Sequence, residues 1–417
     1  MIHNFFLSQT KENIWRVVLE YKEKRERAAG LEEREKLRDE LCQIKKQVIE
    51  NLAEIKKQTI VNLEKNQIKV FEAKDVVEAK NLLQKLTANN RVILKSKSNI
   101  TDEIGLKEIL ADKELIETDL GDFINQVFGE EDLHPVMPAF HLAPRQIIEK
   151  IFQKFGQKIE PTPEAIAAFA RQYLRKKIPE ARVGITGANA ITAEGKIVLL
   201  ENEGNISLIS RWPDKHIIIT GVEKIVPDLE SALKIVKASA IWGTGQDWPI
   251  YVSIISGPSQ TGDVQNKLVI GAQGAKEVYL IFIDNGRSQL IRNGLSELLY
   301  CINCGACLNF CPVFHQLGRT YGDKYLGSKG IIFTAFSDNL KRAKESNTYA
   351  CTFCSACFEN CPVKINLPEL MKKVRAKLNE NNLATEENEE MIANIRKFGN
   401  PFGEIFEEKP PDKLFCC

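Results

Sequence analysis

Residues 301–312 read CINCGACLNFCP, and residues 351–362 read CTFCSACFENCP. Both follow Cys-x2-Cys-x2-Cys-x3-Cys-Pro, the run with which bacterial two-cluster proteins hold a pair of [4Fe–4S] cubes. A tight loop aims three thiolates at one cube. The fourth thiolate opens the next segment, where the chain turns away and reaches the other cube. On that pattern Cys301, Cys304, Cys307 and Cys361 hold one cluster, and Cys351, Cys354, Cys357 and Cys311 hold the second. The crossing also staples the two halves of such a domain together. Gly305 suits a loop passing close to inorganic sulfide, and Ser355 replaces it in the second loop, which alters hydrogen bonding there. Pro312 and Pro362 redirect the chain with no N–H to satisfy. Two zinc sites are the competing assignment, but structural zinc asks for two spaced Cys pairs rather than four cysteines in one run. Clusters with a purely structural duty also stay open. The 39 intervening residues include the partly helical GIIFTAFSDNLKRAKE, so a helical two-cluster domain is expected over 291–380.

Eleven cysteines occur among 417 residues; Cys42 stands alone and Cys416 and Cys417 end the sequence. Such grouping reads as metal binding rather than disulfides. With 43% hydrophobic and 27% charged residues the chain can bury two or three domain cores. A net charge of +1 gives no basic excess for nucleic acid. No apolar run approaches the roughly 20 residues of a membrane span. The opening MIHNFFLSQTKENIW has no basic leader or cleavage site, so a cytoplasmic location is expected.

Upstream, residues 1–65 contain no proline and one glycine, Gly30. Leu41, Ile44, Val48, Leu52, Ile55 and Leu63 recur at helical spacing, with Cys42 beside them as a small core residue. This N-terminal helical segment is either a solvated helix with one packed stripe or a partner-docking arm. From 66 to 290 strands and helices alternate. QIKVFEA, RVILKS and ELIETD read as strands, with a helix over KDVVEAKNLLQKL and another over TDEIGLKEILADK, opened by Thr101 as N-cap. Helices follow at about 145–156 and 163–177, where PTPE (161–164) marks an inserted helical subdomain. KIVLLE, HIIITG, IYVSIIS and EVYLIFID are further strands. The alternation predicts an α/β fold with a largely parallel sheet covered by helices. After Cys361 a helix, LPELMKKVRAKLNE, leads into a polar tail over 381–417.

In order along the chain stand SKSNITDEIGL, ETDLGDFI, VGITGANAITAEGKIVLLENEGN, HIIITGVEKIVPDLE, VSIISGPS, IDNGRS and LYCINCGACLNFCPVF. Together, from about residue 45 to 380, they resemble the LUD-domain iron–sulfur family of lactate utilisation, the type that serves as iron–sulfur subunit of L-lactate dehydrogenase complexes. The resemblance implies a LUD domain, its parallel sheet like that of ribose-phosphate isomerases and CoA transferases, followed by a helical two-cluster ferredoxin domain. It implies an iron–sulfur electron-transfer subunit of a cytosolic complex oxidising L-lactate, or another 2-hydroxy acid, to the 2-oxo acid. The implied partners are a cysteine-rich heterodisulfide-reductase-type subunit and a second LUD subunit, or else a flavin dehydrogenase. Gln260 and Gln273 depart from single-domain LUD relatives, which usually carry a basic residue and a His there. IRKFGNPFGE resembles the linker of heterodisulfide-reductase-like subunits, and the chain ends at KLFCC, as if the frame were shortened or a selenocysteine codon read as stop. Two other functions fit the same residues: a subunit of a thiol/disulfide complex, and a redox-sensing ligand-binding module.

Loops at the carboxyl ends of parallel strands are where such sheets bind ligands. Ser96, Lys97 and Ser98 follow RVILK; Gly184, Thr186, Gly187 and Asn189 form a Gly-rich turn; Ser256, Gly257, Ser259 and Thr261 follow IYVSIIS. Turn and capping duty accounts for these residue types as well. If the resemblance holds, Ser96, Lys97, Ser98, Gly187, Asn189, Ser256, Ser259 and Thr261 line one pocket for an anionic ligand. Glu201 and Glu203 are either acid/base or nucleophilic carboxylates or a solvated loop. His216 heads a strand and reads as structural; Asp284, Asn285 and Arg287 are positioned to cap the domain junction. No G-x-G-x-x-G follows a strand, and GANAITAEGKI lacks the spacing of a phosphate-binding loop. With no nucleotide or flavin fingerprint and no evident catalytic residue, the two-electron chemistry is expected on a partner.

Overall fold

The structure, a computed structural model, describes residues 16, 18–129, 139, 142–337 and 339–405; Cys416 and Cys417 lie outside them. Its strands are β1 (Ile68–Ala73), β2 (Val92–Lys95), β3 (Glu114–Glu117), β4 (Val183–Thr186), β5 (Ala190–Thr192), β6 (Ile197–Glu201), β7 (Lys215–Gly221), β8 (Ile225–Val226), β9 (Tyr251–Ile255), β10 (Gln260–Thr261), β11 (Val269–Ile270) and β12 (Glu277–Ile283). Six form a parallel sheet in the order β1-β12-β7-β4-β2-β3. β7 is buried from His216 to Gly221, as expected of a central parallel strand covered on both faces. On one face lie Ala79, Leu83, Ile100 and Leu106 against Ile185, Ile217 and Ile281. On the other, Val48 and Leu63 from the N-terminal helices meet Ile218, Leu280 and Phe282.

Two of the expected parallel strands belong elsewhere. β6 and β9 sit in a second sheet, β8-β5-β6-β9, where β6 runs antiparallel to both β5 and β9. An apolar run does not encode its direction. The signal was in β9, whose Tyr251 and Ile254 face solvent while Ser253 is buried, the pattern of an edge strand with one open face. In the parallel sheet, β2 connects outward to β3, whereas the chain from β4 proceeds the other way to β7 and β12. The strand order therefore reverses between β2 and β4, where a crevice opens beyond their carboxyl ends.

The helix expected from Thr101 is two short ones, Asn99–Glu103 and Leu106–Ile109. Ser98 holds the N-cap position, and the Thr101 hydroxyl instead donates to the Ser98 carbonyl at 2.6 Å. Gly105, at φ +68°, breaks the run. Helices Leu120–Phe128, Pro144–Phe155 and Pro163–Lys177 form a lobe with its own core of Phe123, Ile151, Phe155, Phe169 and Tyr173, as PTPE suggested. Thr162 caps the last of these by accepting from the Ala165 amide.

The N-terminal segment is three helices, over 18–28, Leu31–Glu50 and Leu52–Lys65, divided at Gly30 and Asn51. Its stripe does not wait for a partner. Leu37 and Leu41 pack into the same core as Trp242, Leu298, Val363 and Leu370, so this segment bridges the sheet domain and the cysteine-rich domain. Arg38 Nε donates to the Cys361 carbonyl at 2.9 Å, and Lys364 pairs with Asp39 across the same contact. Cys42 is half-buried rather than a core residue. The cysteine-rich domain is helical, its main supports being Gly327–Ser337 and Leu367–Glu380. The polar tail contributes a further helix, Glu386–Phe398, capped by Thr385 through the Asn388 amide.

Arg287 joins the domains. Its fully buried guanidinium donates to Glu103 at 2.8 and 2.9 Å, to Glu223 at 2.6 Å, and to the Tyr325 hydroxyl at 3.2 Å. Burial alone would raise both carboxyls. The adjacent guanidinium outweighs burial, lowering Glu103 and taking Glu223 to about 2. Carboxylates depressed in this way stabilise the fold above their unfolded values near 4.3, and that contribution is lost as pH falls towards about 2. Arg287→Met leaves two carboxylates buried without their counterion. We expect it to cost ~3–5 kcal/mol at neutral pH, read as a lower urea midpoint, with the deficit already narrowing above about pH 4, because carboxyls raised by burial and freed of the guanidinium protonate first in the folded variant.

Candidate functional site

Both cysteine loops bend alike. Asn303 and Gly305 have φ of 62° and 79°; Phe353 and Ser355, at the matching positions, have 56° and 64°. Non-glycine residues in this region cost about 1–3 kcal/mol each and persist only where their surroundings impose them. Each loop then enters a one-turn helix, Ala306–Asn309 or Ala356–Glu359, before its fourth cysteine. Backbone amides point at sulfur: Asn303 to Cys301, Phe314 to Cys311 and Ile365 to Cys361, each at 3.4 Å.

The fourth cysteines cross between loops. Cys304 is close enough to Cys301 and Cys361 for their charges to act on it, whereas Cys311 feels Cys351 and Cys354. Cys357 likewise feels Cys311, Cys351 and Cys354, and Cys361 feels Cys301. Burial pushes the Cys304, Cys307 and Cys311 thiols up and takes Cys357 and Cys361 to about 12. Crowded, desolvated thiols of this kind hold negative charge poorly unless cations share it, and N–H···S contacts are how a protein tunes thiolate-bound iron. The donor set therefore fits an iron–sulfur cofactor.

The two loops differ in surroundings. Lys45 and Lys224 act on Cys301, and Lys329 hydrogen-bonds Asn303. At the second loop Arg375 donates to the Cys351 carbonyl at 2.8 Å and lies 4.4 Å over the Phe353 ring. Cys354 is exposed, so this loop faces solvent.

The crevice beyond β2 and β4 is a cavity of about 280 Å³. Ser96, Lys97, Ser98, Thr186, Gly187 and Asn189 line it, and Asn303, Cys304 and Tyr325 of the cysteine-rich domain close it. Ser256, Ser259 and Thr261 do not reach it. They follow an edge strand of the second sheet, where Ser259 Oγ accepts from the Gly274 amide and Thr261 donates to Asp263 at 2.9 Å, serving turns around the β10–β11 hairpin. Gly184 is a packing position, where a Cβ would meet the Ile209 carbonyl oxygen at 2.0 Å. His216 is buried against the Thr186 hydroxyl at 2.8 Å and lowered by burial to about 3, a neutral core residue.

Glu201 and Glu203 both line the cavity but differ in duty. Glu201 accepts from the Ile206 and Ser207 amides at 2.5 and 2.7 Å, capping the helix Asn205–Arg211. Among the described residues Glu203 accepts only from the Leu120 amide, at 3.0 Å; burial of its carboxyl, then the neighbouring Asp119 charge, raises it to about 7. Lys97 is compensated by Asp119 at 3.2 Å. Sequence reasoning passed over Lys224 and Ser239, which also line the cavity; the one signal was a Glu223–Lys224 pair set between apolar Val222 and Ile225–Val226. Glu203 is expected to titrate near pH 7 by carboxyl difference infrared spectroscopy, and Asp119→Asn to bring that midpoint down by removing the like charge while keeping a helix cap.

Two family models match the chain: "LUD domain" over residues 56–283 and "4Fe-4S dicluster domain" over 297–365. "Lactate utilization protein B" of Geobacillus sp. (strain WCH70) is 37% identical over 80% of this chain and 70% of its own length. The same-named protein of Bacillus cytotoxicus is 34% identical over 80% and 70%. "Uncharacterized electron transport protein YkgF" of Escherichia coli K12 is 32% identical over 86% and 75%.

Proposed function

The chain belongs to the LUD-domain family whose members carry a 4Fe-4S dicluster domain, and from that premise we propose that it is the electron-transfer subunit of a complex oxidising L-lactate, or a similar 2-hydroxy acid, to the 2-oxo acid. Membership carries a redox, electron-transfer role with iron–sulfur cofactors. The finer reading is two [4Fe–4S] clusters: one on Cys301, Cys304, Cys307 and Cys361, the other on Cys351, Cys354, Cys357 and Cys311. The observation that carries it is the crossed neighbourhood of the fourth cysteines, Cys361 beside Cys301 and Cys311 beside Cys351 and Cys354. The lactate assignment follows the relatives' name.

When bound, the clusters supply one-electron steps between donor and acceptor. The chain's own residues do the rest. The left-handed positions aim the thiolates, and the Asn303, Phe314 and Ile365 amides take up part of their charge. Arg38 and Arg375 hold the carbonyls of Cys361 and Cys351. The exposed Cys354 loop offers a partner close access to the second cluster. The substrate's two-electron chemistry belongs on a partner: a second LUD subunit with a cysteine-rich subunit of heterodisulfide-reductase type, or a flavin dehydrogenase. Within this proposal residues 66–290 form the LUD unit and 291–380 the electron-carrying unit. Among the described residues no helix is long and apolar enough to cross a membrane.

Anaerobic purification is expected to yield about eight iron and eight sulfide per chain. The crossing has a sharper test. Cys301→Ala with Cys361→Ala removes two ligands of one cluster, so about four iron remain. Sequential ligation predicts that this pair of changes damages both clusters. Zinc in place of iron in the purified protein sinks the reading.

A further inference from the structure

β9 ends the second sheet, and among the described residues its outer edge pairs with no strand. Folded proteins blunt such edges with charges, bulges or a covering segment, because a bare edge is a template for further pairing. This edge carries no charge of its own. From Trp248 to Gly262 the sequence holds no Asp, Glu, Lys or Arg. Arg211 reaches the strand from the helix Asn205–Arg211, but it is turned back onto the Ser207 carbonyl and the Ser253 hydroxyl at 2.9 and 3.1 Å. Pro249 and Pro258 have no N–H to donate and bound the stretch that can extend a ladder. Within it Ile250, Tyr251 and Ile254 are 60, 51 and 44% exposed.

The apolar surface continues beyond the strand. The Tyr251 ring lies against Gly204, at the start of the helix, where a Cβ would meet it at 3.8 Å. Trp212 follows the helix and is exposed. At the base of the β10–β11 hairpin, a Cβ on Gly274 would lie 3.9 Å from the Arg211 carbonyl oxygen. Val264 and Leu268, between the hairpin's two strands, are exposed as well. In all, ten large apolar side chains between residues 208 and 270 are exposed by 38–64%, against eight in the rest of the described chain. A half-exposed large side chain presents roughly 80–100 Å², so this face offers on the order of 800–1,000 Å². The largest apolar patch of a typical monomer is about 300–600 Å². One partner of a stable interface buries about 800 Å².

We propose that this face joins two copies of the chain, β9 pairing antiparallel with β9 of the second copy about a two-fold axis, with Trp212 and the hairpin completing the contact. Three observations select a second copy. A two-fold contact sets a surface against itself, so a charge near the axis meets its like; the stretch from 248 to 262 brings none. Antiparallel pairing of a strand with its own copy is what a two-fold axis generates, and β9 already runs antiparallel to β6, so the two four-stranded sheets continue as one. The exposed area matches what each partner of a stable pair buries. The contact uses no cysteine and stands apart from the electron-transfer proposal.

The test takes the full chain, purified anaerobically with its iron, through sedimentation velocity over a range of concentrations. A dimer is expected, with the amides of residues 250–255 protected from hydrogen exchange. Ile254→Lys sets like charges across the axis and is expected to weaken dimerisation at least tenfold and to release that protection, at unchanged iron content. A wild-type chain that stays monomeric at its highest soluble concentration overturns the proposal. So does a dimer that Ile254→Lys leaves undiminished, or one whose β9 amides exchange freely. Should Ile254→Lys fail to fold, Ile250→Lys decides, since that side chain is the most exposed of the strand region, and an undiminished dimer again overturns it.

Discussion

A guanidinium buried between two carboxylates is affordable only when all three are held in register, and Arg287 is held by Glu103 from the short helix after β2, Glu223 from the turn after β7, and Tyr325 from the cysteine-rich domain. Tyr325 also hydrogen-bonds Glu103 directly. Four separate stretches of chain therefore meet at one desolvated network, and no subset can leave without exposing an unpaired charge to the interior. The consequence is geometric. Tyr325 lies at the cavity wall, so the network that locks the domains together also sets the Asn303–Cys304 loop over the crevice. The position of the first cysteine group relative to the sheet is a by-product of that charge balance.

The N-terminal helices provide the second constraint. Leu37 and Leu41 enter the core of the cysteine-rich domain, while Val48 and Leu63 enter the core of the sheet. Between them, Arg38 reaches the Cys361 carbonyl at the end of the second cysteine run, and Lys45, beside Cys301, is tied to the Glu223 carbonyl. One amphipathic segment thus fastens both sides of the junction that Arg287 closes from within. This explains why a stripe that could serve an external partner is already occupied.

Much of this was legible in the sequence where a residue type has one dominant use. The two Cys-x2-Cys-x2-Cys-x3-Cys-Pro runs announced an iron–sulfur domain, and Gly305 marked a tight turn whose left-handed conformation Ser355 shares in the second loop. Apolar runs announced strands, and Ser96, Lys97, Ser98, Gly187 and Asn189 were recognised as loop residues beyond strand ends and do meet at one cavity. What was illegible depends on partners distant in sequence. KIVLLE and IYVSIIS are as apolar as the central strands, and only their neighbours decide that they run antiparallel in a second sheet, which carries Ser256, Ser259 and Thr261 away from the crevice. Nothing in the sequence ties Glu103 to Arg287, because the two lie 184 residues apart. Lys224 gave almost no signal, since a lysine is informative only once its burial at a cavity wall is seen.

Building a cavity from two domains has an energetic corollary. The parallel sheet supplies its floor and walls through Ser96, Thr186 and Asn189, and the cysteine-rich domain supplies its cover through Asn303 and Cys304. Any molecule that touches both strengthens the domain contact by as much as that contact strengthens its binding, because the coupling free energy is shared. Occupancy of the crevice and the setting of the first cysteine loop therefore cannot vary independently. The Arg287 network makes the junction stiff, so this coupling reaches the loop through charge and local contact rather than through domain motion. A stiff junction suits a member of an electron-transfer family, because it fixes the first cysteine loop relative to the sheet.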